Sequence, residues 1–259
     1  MPAIVVLVKN VPDTWSERTL NPDFTLHREG VDEVIDEVNE YAVEQALRIR
    51  EADPSYRVVA LSAGPDRAQE ALRKALAMGA DEAILLSDDA LAGSDLLGTA
   101  WALHNAINAV EDVALIITGA ASSDGAMGAL PAVLSEYRQI PALTHLRALS
   151  VSDGVAKGTR EVPEGTYELS ASLPAIASIG EKADKPRFPN FKGIMAAKKA
   201  EIRVLGLAEI GVAPEHVGLA HASTAVTSAT PRPERQGGDL VYTDGAARIV
   251  EFLSQEKFI

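Results

Sequence analysis

The stretch Gly119-Ala120-Ala121-Ser122-Ser123-Asp124-Gly125-Ala126-Met127-Gly128 gathers groups that hold an anion. Its three glycines let backbone approach a ligand closely, and Ser122 and Ser123 add hydroxyl groups. A helix is expected to begin near Ala129, with unpaired N–H groups at the positive end of its dipole. A phosphate suits this combination, and an ordinary tight connection is the competing reading of the same residues. Ala63-Gly64-Pro65 is a second place where small side chains admit a ligand. No Gly-x-Gly-x-x-Gly follows an expected strand and no Walker lysine motif occurs, so a nucleotide bound here is held in some other way.

Other chemistries have less support. The chain has no cysteine, which removes disulfides, thiolate zinc sites, cysteine nucleophiles and cysteine-ligated iron–sulfur clusters, and leaves redox work to a bound organic cofactor. The histidines at 27, 104, 145, 216 and 221 are scattered, with no metal-ligand spacing and none close in sequence to the loop serines. His104 and His145 read as structural residues of a helix and a strand. Asp32, Glu33, Asp36, Glu37, Glu40 and Glu44 read as a solvated face and acidic first turn of a helix rather than as paired acid–base carboxylates. Lys185, Arg187, Lys192, Lys198 and Lys199, interleaved with Phe188 and Phe191, form the one basic concentration. It is either a solvated loop or a docking edge. With 24 Lys and Arg against 37 Asp and Glu, the net charge of −13 repels the phosphate backbone of nucleic acid.

The elements that must position these residues alternate in period. Ala3 to Val8 is a continuous apolar run of the kind buried on both faces of a sheet, and a polar loop follows from Asn10 to Gly30. Ile35, Val38, Ala42, Ala46 and Ile49 mark a helix ending near Glu51. Arg57 to Ser62 is a strand, then comes a helix to Met78 with Gly79 as its cap, and then a strand from Glu82 to Leu86. Leu96, Ala100, Leu103, Ile107 and Val110 mark the next helix, and Val113 to Thr118 the fourth strand. This alternation predicts an α/β fold, a doubly wound and mostly parallel sheet, with ligands beyond the carboxyl ends of its strands. Leu146 to Val151, Val155 to Val162 and Tyr167 to Ser172 predict an antiparallel appendage, and Leu173 to Ile179 a further strand. Residues 213–239, low in large apolar side chains, are expected to build no core, and Ile249, Val250 and Leu253 mark a last amphipathic helix. The expected organisation is an α/β domain over 1–205, including a loop over 183–199, and a C-terminal arm over 206–259 that needs a partner. The longest apolar runs fall well short of the roughly 20 residues that cross a bilayer, and Met-Pro-Ala does not open a signal peptide, so a cytoplasmic protein is expected.

Seven pieces in order give a specific resemblance: Val8-Lys9-Asn10-Val11-Pro12-Asp13, Asn39 to Ala46, Ala63-Gly64-Pro65, Ala75 to Asp81, the loop around Asp124-Gly125, Leu173-Pro174-Ala175-Ile176, and Gly193 to Lys199. Together they resemble the beta subunit of electron transfer flavoprotein. The resemblance implies a fold like the adenine-nucleotide alpha-hydrolases and an AMP pocket. That pocket would comprise Leu7, Asp36, Glu37, Val38, Asn39, Ala63, Ala120, Ala121, Ser122, Ser123, Asp124, Gly125, Ala126, Met127, Gly128, Ala129, Leu130 and Pro131. It also implies an alpha subunit that holds most of the FAD, with Asp13 and Thr14 near the flavin. Arg187, Phe191, Lys192 and Met195 would face redox partners. An electron carrier rather than an enzyme is implied, taking electrons from acyl-CoA and related dehydrogenases and passing them to a membrane quinone oxidoreductase. A free-standing nucleotide sensor or hydrolase of the universal-stress type is the competing reading, but it has no use for the basic aromatic segment or the arm.

Overall fold

The computed structural model describes residues 1–233, 237, 238 and 240–259. Strand β1 (Ala3–Leu7) is buried along its whole length, as its unbroken apolar run requires. The polar loop after it is closed at its base by an antiparallel pair, β2 (Asn10–Pro12) and β3 (Glu33–Ile35). Helix α1 (Glu37–Ala52) turns Val38, Ala42, Ala46 and Ile49 into the core. There follow β4 (Arg57–Ala63), α2 (Gln69–Met78), β5 (Glu82–Leu86), α3 (Leu96–Asn108), β6 (Val113–Gly119) and α4 (Leu130–Arg138). Gly79 stops α2 at φ +129, a backbone angle that a Cβ atom disfavours.

The second half adds β7 (Ala142–Ser152), β8 (Val155–Val162), β9 (Gly165–Ser172), β10 (Ala175–Ile179), α5 (Phe191–Lys199) and β11 (Arg203–Leu205). One nine-stranded sheet runs in the order β11-β5-β4-β1-β6-β10-β7-β8-β9. It is parallel from β11 to β7 and antiparallel beyond. The three antiparallel strands therefore extend the edge of the main sheet. Helices α1, α2 and α5 pack on one face and α3 and α4 on the other, each over its own apolar core. After β5 the chain crosses back to place β6 on the far side of β1, so the sheet's switch point lies between the carboxyl ends of β1 and β6.

Two expectations are corrected here. The compact unit runs from Met1 through Val226, past residue 205. Strand β11 pairs with β5, and Leu207, Val212 and Val217 are buried. Val217 lies in the stretch expected to build no core, and its burial comes from backbone ties rather than apolar density. Gly218 N–H donates to Ser94 Oγ at 2.7 Å, Leu219 N–H to the Ala92 carbonyl at 3.0 Å and Thr224 N–H to Asp95 Oδ2 at 2.9 Å. The other correction concerns segment 183–199, whose second half is helix α5, begun by Asn190, whose side chain accepts the Gly193 N–H at 2.8 Å. A second unit, Thr227–Ile259, contains α6 (Gly245–Gln255) with Ile249, Val250 and Phe252 exposed. Glu234, Arg235, Gln236 and Asp239 of the expected arm lie outside the described residues. Among the described residues, no helix is long and apolar enough to cross a membrane.

Candidate nucleotide site

The glycine loop opens at the switch point. Gly119 ends β6 against the first turn of α1, where a Cβ would meet Val38 Cγ1 at 2.6 Å and Asn39 Nδ2 at 2.7 Å, so only glycine permits this contact. Ala120 N–H donates to the Ile179 carbonyl at 2.8 Å, tying the loop to β10. Asn39 in turn accepts the Lys9 backbone N–H through Oδ1 at 2.8 Å. The ends of β1 and β6 and the start of α1 are thus locked together before any charged group is counted.

Asp36, only 2% exposed, accepts the Ser123 N–H at 2.7 Å. Burial, with the Asp124 charge adding to it, raises its pKa above the ordinary carboxylate value despite that bond. Asp124 points the other way energetically. Burial would raise it as well, but Lys9, 2.7 Å from its carboxylate, and Arg28 hold it down to about 2. Arg28 also pairs with Glu33 at 2.9 Å, and Glu33 with Arg67 at 2.9 Å, while Arg67 donates to the Arg28 carbonyl at 2.7 Å. This chain of three cations and two carboxylates pins the polar loop 13–30 to the glycine loop.

The serines and the remaining loop residues divide the work. Ser122 shapes the turn, accepting the Gly125 N–H on its hydroxyl at 3.2 Å and the Ala126 N–H on its carbonyl at 2.8 Å. Ala126 at φ 50 and Gly128 at φ 66 then bend the chain into α4, whose second residue is Pro131. Among the described residues, the backbone N–H groups of Met127, Gly128, Ala129 and Leu130 donate to no protein acceptor. Four free donors at a helix start, beside a network carrying an excess cation, fit a phosphate group.

The expected pocket residues fall into two groups. Asp36, Glu37, Val38, Ala121 and Ser123 line one cleft of about 550 Å³, and Thr14 lines it with them. Leu7, Ala63 and Leu130 instead pack on the α3 and α4 face, an apolar environment on the other side of the loop. Asp13 caps its own turn, accepting the Trp15 N–H at 3.1 Å. Phe191, Lys192 and Met195 are exposed on α5, whereas Arg187 is turned inward onto Glu44 and Glu51 of α1.

The acidic cluster is another correction. Asp36 and Glu44 are 2% and 3% exposed, and the Glu33 side chain is buried between two arginines, so three of its six members are not solvated. Lys9, Arg28 and Arg67 are site residues that sequence reasoning did not pick out. Lys9 could have been found, because it stands just beyond the carboxyl end of β1. Nothing local distinguishes the arginines. Among the described residues, no group of three or more His, Asp or Glu is placed to hold a metal ion.

Comparison with known proteins places the chain in a family. The model of the electron transfer flavoprotein domain family matches residues 23–210. Electron transfer flavoprotein subunit beta of Mycobacterium tuberculosis is 52% identical, with 100% of both chains covered. The protein of that name from Megasphaera elsdenii is 35% identical over 91% of this chain and 89% of its own. The caffeyl-CoA reductase-Etf complex subunit CarD of Acetobacterium woodii is 32% identical over 92% and 91%. The likeness takes in the glycine loop, α5 and the C-terminal unit together, and the chain belongs to the electron transfer flavoprotein family, among its beta subunits.

Proposed function

We propose that the chain is the beta half of a heterodimeric electron transfer flavoprotein, that it holds AMP on the glycine loop, and that it works in the cytoplasm. The observation that carries this reading is the end-to-end likeness to beta subunits. FAD, held mainly by the alpha subunit, takes electrons from acyl-CoA and related dehydrogenases and gives them up to a membrane quinone oxidoreductase. This chain's contribution is to bind, cover and dock. The free N–H groups of Met127 to Leu130 receive the AMP phosphate, and Leu7, Ala63 and Leu130 supply apolar surface for the adenosine. Asp13 and Thr14, on the loop pinned by Arg28, lie next to the flavin. The exposed face of α6 packs against the alpha subunit, and Phe191 with Lys192 and Met195 meets the dehydrogenase.

The nucleotide is structural in this account. A general base must reach its substrate and be free to take a proton, but Asp36 is buried beneath the Ser123 N–H and Asp124 is held by two cations. The hydrolase reading therefore finds no base in the loop. The test is to co-express the chain with an alpha subunit and add an acyl-CoA dehydrogenase with its acyl-CoA. The expected result is a yellow heterodimer whose flavin is reduced. A chain that neither associates with an alpha subunit nor supports flavin reduction contradicts the proposal.

A further inference from the structure

Arg187 stands between β10 and α5, and its guanidinium is spent inside the chain. Nε donates to Glu44 Oε2 at 2.7 Å and Nη2 to Glu44 Oε1 at 3.1 Å, while both terminal nitrogens also reach Glu51. The Arg187 backbone N–H adds a third bond to Glu44 at 3.1 Å. Glu44 and Glu51 lie seven residues apart, on one face of α1, and a planar fork spans two such carboxylates where a single ammonium group does not. Burial would raise Glu44, but these bonds and one from Arg48 hold it below its ordinary value.

Two further ties hold the other end of the segment. Gly193 lies so close to the Ala77 carbonyl of α2 that a methyl group there would be driven into it. Arg73 of α2 donates to the carbonyls of Ala197 and Ala200 at the end of α5. Between these ties, Phe188 is 93% and Phe191 79% exposed. Neither aromatic ring has packing enough to fix it, so the backbone beneath must set where both point.

We propose that Arg187 is a positioning residue: its clamp on Glu44 and Glu51 fixes the course of the chain through Phe188 and Phe191 before a dehydrogenase arrives. The proposal rests on the docking reading of α5 given above. A segment ordered in advance loses less conformational entropy on binding, so the clamp strengthens capture of the partner without touching it. Two carboxylates neutralise the Arg187 charge, so it contributes little to long-range steering.

The experiment uses the heterodimer, with electrons delivered by an acyl-CoA dehydrogenase and its acyl-CoA. Arg187→Gln should raise the KM for the dehydrogenase by about tenfold, the order expected when a few side chains must be ordered on binding. The rate at saturating dehydrogenase and the flavin content should stay as in the wild type, and amide exchange over residues 188–193 should quicken. Arg187→Lys, which keeps a charge beside buried Glu44, should fold and show an intermediate KM. The KM effect should be the same at low and high salt. If Phe191→Ala raises the KM and neither Arg187 variant does, the clamp has no such role. A defect in the Arg187 variants that disappears at high salt would show direct charge steering and also overturn it. An unchanged KM in Phe191→Ala would refute the docking reading itself.

Discussion

The connection from β6 to α4 and the connection from β10 to α5 leave adjacent parallel strands at the same end of the sheet, and each leads into a helix of nine residues. Each is tied down by charged groups that reach across to another segment. The first recruits Lys9, Arg28 and Asp36 from other segments, and it leaves a row of backbone N–H groups without partners among the described residues. The second uses Arg187, and it leaves Phe188 and Phe191 facing water. In each case what stays outward indicates the ligand. Unpaired donors call for an anion, and exposed aromatic rings on a fixed backbone call for a protein surface.

Matched glycine substitutions should separate the two regions with the largest effects. Gly119→Ala would press a methyl group on Val38 and Asn39, and Gly193→Ala would press one on the Ala77 carbonyl. Each should destabilise by about 1–3 kcal/mol, the usual range for overpacking, measurable by urea unfolding. The first should lose nucleotide yet keep its affinity for the dehydrogenase, and the second should do the reverse. If both variants lose both properties, the regions are not independent.

Asp124→Asn is the next largest. A carboxylate held at about 2 against an ordinary 3.8 stabilises the fold by roughly 2 kcal/mol at neutral pH. That contribution is complete above 3.8 and is lost as the pH falls toward 2. The variant should therefore be about that much less stable at pH 7, with a flatter acid limb in its stability curve. Hydrogen exchange in the loop 13–30 should rise with it, because Arg28 loses one of its two carboxylates.

Asp36→Asn should have the smallest effect and the opposite pH sense. Burial raises this group, so its contribution is greatest below 3.8 and is lost as the pH rises through the folded-state value. An amide keeps an oxygen for the Ser123 N–H without the buried charge, and the variant should match or slightly exceed the wild type at pH 7. Asp36→Ala leaves that N–H unpaired and should cost about 1–3 kcal/mol. If Asn and Ala behave alike, the bond to Ser123 has no part in holding the loop.

How much of this was legible depended on sequence distance. The central strands were plain, since β1, β4 and β6 are apolar runs whose burial needs no partner to be named. The glycine loop could be placed because its residue types and its position after a strand agree. Its electrostatics could not, because Arg28 and Asp124 are separated by 96 positions and nothing near either one announces the other. Asp36 and Glu44 looked like solvent-facing residues because buried carboxylates are recognised only by their partners. Helix α5 was hidden for a different reason: Phe191, Ile194 and Met195 keep helical spacing but point outward, and the helix turns only the small Ala197 into the core, so no stripe of large apolar residues marks its buried face. The one local sign was Asn190, three residues ahead of Gly193.

Small molecules released on denaturation show which nucleotide each subunit holds. The purified chain alone and its complex with an alpha subunit would be unfolded, and the released nucleotides identified and counted. AMP is expected from both samples, one per chain, and FAD from the complex only. Release of no adenine nucleotide from either sample, or of flavin in full amount from this chain by itself, would contradict that expectation.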